Sequence, residues 1–109
     1  MIQHIVLFTP KADLPAATRQ AFAGHVTDTL AASPAISRYT VGRRVDIDAG
    51  YQRSAGDKVY EYAAVLEFDD RDRLIAYLND PTHARLGNAF WEYCESCVVC
   101  EVDLSAPLV

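Results

Sequence analysis

The stretch Ile2–Phe8 (IQHIVLF) decides the fold, because it favours a β-strand and carries apolar side chains at both odd and even positions. Its even positions include His4, Val6 and Phe8. A strand that is apolar on both faces is typical of one that is covered on both sides. We therefore predict a first strand that is buried on both faces and that ends at Pro10.

A helix is predicted to follow this strand. Residues 13–15 (DLP) indicate a helix start, since an acid precedes a proline in the first turn. Phe22, Val26 and Leu30 recur at every fourth position and form one apolar stripe along the helix. Residues 33–34 (SP) end it. The stripe predicts which face of the helix packs against the sheet.

The second helical region is predicted to be broken into two parts. The acidic pair at 69–70 can cap a short helix that ends at Leu78. Asp80 is then the predicted N-cap of the next helix, with Pro81 in the first helical position and His83 in the third. This second part is predicted to reach about residue 93.

Three further strands are predicted over residues 36–47, 59–68 and 97–102. Turn-forming residues at 48–50 and 54–57 indicate a long loop between the second and third strands. The order β-α-β-β-α-β predicts one α+β domain over residues 1–109, with a ferredoxin-like, four-stranded antiparallel sheet and helices on one face. Because the other face is also apolar, we predict that a second copy covers it, as a homodimer that closes an α+β barrel.

The composition limits the function classes. Half of the 109 residues are hydrophobic, which supports a packed core. Ten basic and 15 acidic residues give a formal net charge of −5, so we expect no nucleic-acid partner and no anionic membrane partner. No apolar run approaches the ~20 residues of a membrane helix, and the first residues do not resemble a signal peptide. A cytoplasmic location is expected.

Three residues are candidates for acid–base chemistry. His4 lies inside an apolar strand and is either a buried histidine bonded to a neighbour or a pocket acid or base. His83 lies at the positive end of a helix, which favours the neutral imidazole that a general base needs; otherwise it is a capping or surface histidine. Tyr77 can donate a hydrogen bond to a substrate oxygen or serve as a core tyrosine.

Apolar and aromatic residues are predicted to form the walls of a pocket between the sheet and the helices. These are Tyr60, Tyr62, Phe68, Val6, Phe8 and Val26.

The spacing of Cys94, Cys97 and Cys100 does not predict a metal site, since no fourth cysteine exists and the set straddles a helix end and a strand. On a strand, Cys97 and Cys100 would point to opposite faces. Reduced thiols are expected.

Two motifs resemble the stress-responsive A/B barrel (Dabb) family: HIVLF at 4–8 and YLNDPTH at 77–83. The resemblance spans nearly the whole chain and implies a dimeric α+β barrel. One plant polyketide cyclase of this type closes a linear polyketide by an aldol condensation without a cofactor. By position, its catalytic residues imply roles for His4, Tyr77 and His83. The chain departs from it at Tyr62, where that enzyme has histidine, and near Val26, where it has tyrosine.

Three hypotheses for function follow. The first is a cofactor-independent cyclase or isomerase, with His83 as general base, Tyr77 stabilising an oxyanion and His4 orienting a carbonyl. The second is a non-catalytic, ligand-binding or stress-associated homodimer with the same pocket. The third is a monooxygenase or haem-binding relative, in which His83 is the plausible axial ligand.

Overall fold

The computed structural model describes residues 1–51 and 59–109 of the chain. Along the chain its elements are β1 (Ile2–Pro10), α1 (Ala16–Ala32), β2 (Arg38–Arg43), β3 (Tyr62–Phe68), α2 (Arg71–Leu78), α3 (Pro81–Tyr93) and β4 (Cys94–Asp103). The predicted turn at 54–57 lies outside the described residues. No helix within the described ranges is both long and apolar enough to cross a membrane.

The four strands form one antiparallel sheet in the order β2-β3-β1-β4. The predicted ferredoxin-like α+β fold is therefore confirmed. β1 is a central strand of the sheet and pairs along its length with β3 on one side and with β4 on the other. This double pairing fixes which residues of β1 face the helices.

Burial alternates along β1 as the period of a strand requires. His4, Val6 and Phe8 are buried beneath the helices, whereas Ile5 and Leu7 on the opposite face are only partly buried. The register places several further apolar residues of the neighbouring strands on that opposite face, which we call the outer face: Ala63, Val65, Val98, Cys100 and Val102. The side covered by the helices is the inner face.

The apolar stripe of α1 is confirmed, because Phe22, Val26 and Leu30 are all buried in the core. The predicted start of this helix is wrong by a residue or more. Pro15 lies at the N-cap, before the first turn, and no side chain caps the helix. Arg19 N instead donates to the Pro15 carbonyl at 3.0 Å, which makes the first intrahelical bond.

The caps predicted for the other two helices are confirmed. The Asp70 carboxylate accepts a hydrogen bond from Arg73 N at 2.9 Å, and the Asp80 carboxylate accepts one from Thr82 N at 2.9 Å. Pro81 begins α3, where its missing N–H costs no intrahelical bond. The break between α2 and α3 therefore lies where the sequence predicts it.

The strand bounds differ from the predicted ones for reasons of pairing. β2 is an edge strand, and its ladder with β3 stops at the pair Arg43–Tyr62, so both strands are shorter than predicted there. β4 begins at Cys94 instead of residue 97, directly after α3. This early start is supported by a hydrogen bond from Lys11 N to the Tyr93 carbonyl at 2.8 Å.

Candidate functional site

A cavity of about 640 Å³ lies between the inner face of the sheet and the helices. Its walls combine aliphatic residues of α1, β3 and α3 with the inner face of β4. Trp91, the single tryptophan of the chain, lines the cavity and is 87% exposed, so it marks the end nearest to solvent. The volume falls within the usual range for small-molecule pockets.

His4 forms the floor of this cavity on β1 and is 5% exposed. Its Nδ1 lies 2.8 Å from Oε1 of Glu101, the residue directly opposite it on β4. Because a carboxylate only accepts hydrogen bonds, His4 donates from Nδ1 and keeps Nε2 for another partner. The carboxylate thereby fixes both the tautomer and the orientation of the ring.

Tyr77 lies between the two histidines of the cavity. Its ring centroid is 5.9 Å from that of His4 and 4.8 Å from that of His83, both in edge-on arrangements. The break between the helices produces this contact, since Asp80 N donates to the Tyr77 carbonyl and His83 N donates to the Asp80 carbonyl. The six-residue separation in the chain thus becomes a direct contact in the fold.

The surroundings keep the His83 imidazole and the Tyr77 phenol in their neutral forms at pH 7. Burial, together with the charge of His4, lowers the pKa of His83 despite smaller opposing effects of the Leu78 backbone and of Asp80. Burial, and to a lesser extent the negative charge of Asp80, raises the pKa of Tyr77 to about 12. The site therefore joins a neutral imidazole to a phenol that keeps its proton.

The cavity brings together six of the nine residues singled out from the sequence: His4, Tyr77, His83, Val6, Val26 and Tyr60. The other three, Phe8, Tyr62 and Phe68, are not among its described lining residues, so the predicted walls need correction. Phe68 is completely buried beside Tyr77, with ring centroids 5.4 Å apart.

Phe8 and Tyr62 lie at the other end of the two central strands. Their rings are stacked with centroids 5.5 Å apart, and Phe8 also contacts Phe22 and Phe90. The Tyr62 hydroxyl accepts a hydrogen bond from Arg43 at 2.9 Å. Sharing one strand face was thus not sufficient for lining the cavity, because the ring of Phe8 packs among the aromatic rings of Tyr62, Phe22 and Phe90.

Glu101 is the functional candidate that the sequence reasoning missed. The signal for it was an acidic residue inside the otherwise apolar segment 98–102 (VVCEV). Its meaning depended on the register of β4 against β1, which the sequence does not specify.

A β-bulge sets the positions of the cysteines. Pro10 pairs with Cys94 and Thr9 with Ser96, so Glu95 is the extra residue. Cys94 and Cys97 consequently both line the cavity, while Cys100 pairs with Ile5 on the outer face. Burial raises the pKa of Cys97, and burial followed by the proximity of Cys97 raises that of Cys94 to about 12. These two groups are therefore thiols at neutral pH.

The sheet, the helices on one face and the cavity beneath them define a ferredoxin-like α+β domain of the barrel-forming type. The family model for the Stress Responsive A/B Barrel Domain (Dabb) matches residues 2–104. The chain belongs to this family, as the two motifs of the sequence indicated.

Solved structures share the fold at low sequence identity. A dimeric ferredoxin-like protein of unknown function from Thermobifida fusca is 22% identical, with a TM-score of 0.73 over 94% of this chain and 90% of that one. A hydroxynitrile lyase from Passiflora edulis is 17% identical, with a TM-score of 0.74 over 97% and 96% of the two chains. SnoaB, a cofactor-independent oxygenase from Streptomyces nogalater, is 20% identical, with a TM-score of 0.65 over 98% and 95%. No curated protein matches the chain.

Proposed function

We propose that the chain is a homodimeric enzyme that performs cofactor-independent acid–base chemistry on a small, largely apolar carbonyl compound. The observation that carries this proposal is the placement of Tyr77 between His4 and His83 at the polar end of an apolar cavity. Cyclisation by aldol condensation and isomerisation both begin with removal of a proton next to a carbonyl, and this set of groups suits that step.

In the proposed mechanism His83 removes the proton, since its lowered pKa leaves the imidazole free to accept one at pH 7. Tyr77 donates a hydrogen bond to the carbonyl oxygen as negative charge develops there, and its raised pKa keeps the donor protonated. His4 helps to orient the substrate beside that carbonyl: Glu101 holds its ring through Nδ1, which leaves Nε2 to accept a hydrogen bond from a hydroxyl of the substrate. One donor, Tyr77, and one base, His83, thus converge on the carbonyl oxygen and the neighbouring carbon.

Proteins of the same fold lend support. The Passiflora edulis and Streptomyces nogalater proteins are a lyase and a cofactor-independent oxygenase, so domains with this architecture do host chemistry on small molecules. Their identity to this chain is too low to transfer a substrate.

The homodimer is proposed from the uncovered outer face. The molecule is only 18 Å thick along its shortest axis, which corresponds to one sheet and one layer of helices. Ile5, Leu7 and Val98 contribute apolar surface to the uncovered face. The Thermobifida fusca protein with the same fold is dimeric.

The catalytic proposal is tested with 2-tetralone, a neutral ketone with acidic α-protons, whose hydrogen–deuterium exchange in D₂O is followed by NMR. We expect the protein to accelerate exchange, and His83→Ala to reduce the acceleration by about 100-fold or more, as loss of a general base does. His25→Ala is the matched control, because His25 lies on α1 and does not line the cavity among the described residues.

Equal exchange rates for the protein and for His83→Ala would refute the base. Binding of 2-tetralone without faster exchange would instead identify the non-catalytic, ligand-binding homodimer.

A further inference from the structure

We infer that the cavity selects uncharged ligands and rejects anions, with Glu95 as the residue that sets this selectivity; the inference deepens the proposed function and rests on it. Two carboxylates, those of Glu95 and Glu101, line the cavity. None of the lining residues that the structure describes is a lysine or an arginine. A ligand carboxylate would therefore lose its hydration and meet charges of its own sign.

The two histidines of the cavity, His4 and His83, do not provide an unbalanced positive charge. Any charge on His4 is balanced by the Glu101 carboxylate at 2.8 Å. His83 stays neutral, because its environment lowers its pKa. No histidine of the cavity is thus available as an unbalanced cation for an acidic ligand.

The N-terminus of α3 is the other place where an anion could bind, since helix N-termini present free amide groups. Here the Asp80 carboxylate already occupies it, accepting hydrogen bonds from both Thr82 N and Thr82 Oγ1 at 2.9 Å. Asp80 also opposes ionisation of Tyr77, so its negative charge reaches the cavity. A second anion at this end would be repelled.

The rest of the wall indicates what such a ligand looks like. Aliphatic and aromatic side chains form most of it, among them Leu66, Leu86, Phe90, Trp91 and Val99. Polar side chains lie at both ends: His4, Tyr77 and Glu101 at one, where a polar group of the ligand would bind, and Glu95 and Ser96 at the other, where β4 begins. The structure therefore favours a neutral, mainly hydrocarbon ligand with one polar group, such as a ketone, an aldehyde or a phenol.

The test compares two probes of nearly equal shape, biphenyl-4-carboxamide and biphenyl-4-carboxylate, by calorimetry at pH 7.5 and low salt. We expect the amide to bind and the carboxylate to bind about tenfold more weakly or worse, with the gap narrowing as salt screens the charges. Glu95→Gln should strengthen carboxylate binding several-fold and should change carboxylate binding more than amide binding, so the ratio of the two affinities falls. Glu92→Gln, an exposed position of α3 outside the described lining, is the matched control and should change neither affinity.

Equal affinities for the two probes would overturn the charge selectivity and leave the proposed pocket standing. If the carboxylate probe binds Glu95→Gln and the unaltered protein with equal affinity, Glu95 does not set the selectivity. Failure of both probes to bind would contradict the proposed small-molecule site itself, and the inference with it.

Discussion

Replacement of Tyr77 by phenylalanine measures how strongly the polar end of the cavity is shielded from water. Tyr77 is 3% exposed, and burial followed by the charge of Asp80 raises its pKa from 10.0 to about 12. A difference of two pKa units between the folded and unfolded states corresponds to about 2–3 kcal/mol of unfolding free energy, at roughly 1.4 kcal/mol for each unit. The substitution deletes the hydroxyl alone and keeps the ring that packs on His83.

The sign of the effect follows from the raised pKa. Below pH ~10 the phenol is protonated in both states, and the full contribution to stability is present. As the pH rises toward 12 the unfolded chain loses the proton and the folded protein does not, so the free energy of unfolding falls. Tyr77→Phe has no such proton. The unaltered protein should therefore lose about 2–3 kcal/mol more than the variant between pH 9 and pH 12.

The assay is urea unfolding followed by circular dichroism at a series of pH values and at one fixed protein concentration. Other alkaline titrations, such as that of Cys94, are common to both proteins and cancel in the difference. Tyr51→Phe is the control, because Tyr51 is 78% exposed, and its curve should follow that of the unaltered protein. If Tyr77→Phe loses stability in parallel with the unaltered protein up to pH 12, the cavity end is wet and the reasoning fails.

Two further predictions concern acid stability and assembly. Because the pKa of His83 is lowered in the folded state, its contribution to the free energy of unfolding should be fully present above pH ~6.5 and should be lost as the pH falls below that value. His83→Gln should make the urea midpoint less dependent on pH between pH 5 and 7.5. An unchanged pH dependence would contradict the assigned environment of His83. Leu7→Asp should convert the proposed dimer into monomer in analytical ultracentrifugation at micromolar concentration, whereas Ala23→Asp, on the exposed side of α1, should remain dimeric; a dimeric Leu7→Asp would exclude the outer face as the interface.

Much of the fold could be predicted because local signals agreed with one another. The β-favouring apolar run Ile2–Phe8, the spacing of Phe22, Val26 and Leu30, and the pair Asp80-Pro81 each indicate an element through local signals. The ends of the strands could not be predicted in this way. They depend on where a neighbouring strand stops offering hydrogen bonds, which is a property of the sheet and not of the segment.

The same distinction between local and long-range signals applies to the residues of the candidate site. The sequence could indicate that Tyr77 and His83 lie close together because they are near neighbours in the chain. The break between their helices is marked by the N-cap Asp80 and by Pro81. The role of Glu101 could not be predicted from the sequence, since its contact with His4 joins positions 97 residues apart and depends on strand register. The placement of Cys94 and Cys97 on one face depended on a single-residue bulge, for which the sequence holds no distinctive sign.

The two faces of β1 connect the proposed site to the proposed interface. His4 and Val6 face the cavity while Ile5 and Leu7 face outward, and a slip of one residue would exchange the two sets. The contact between His4 and Glu101 exists only in the observed register of β1 and β4. A slip of one residue would turn His4 to the outer face and remove its contact with Glu101, so a partner that packed on Ile5 and Leu7 would favour the observed register. Dimerisation would thus support the geometry of a cavity on the opposite side of the sheet without contributing a residue to it.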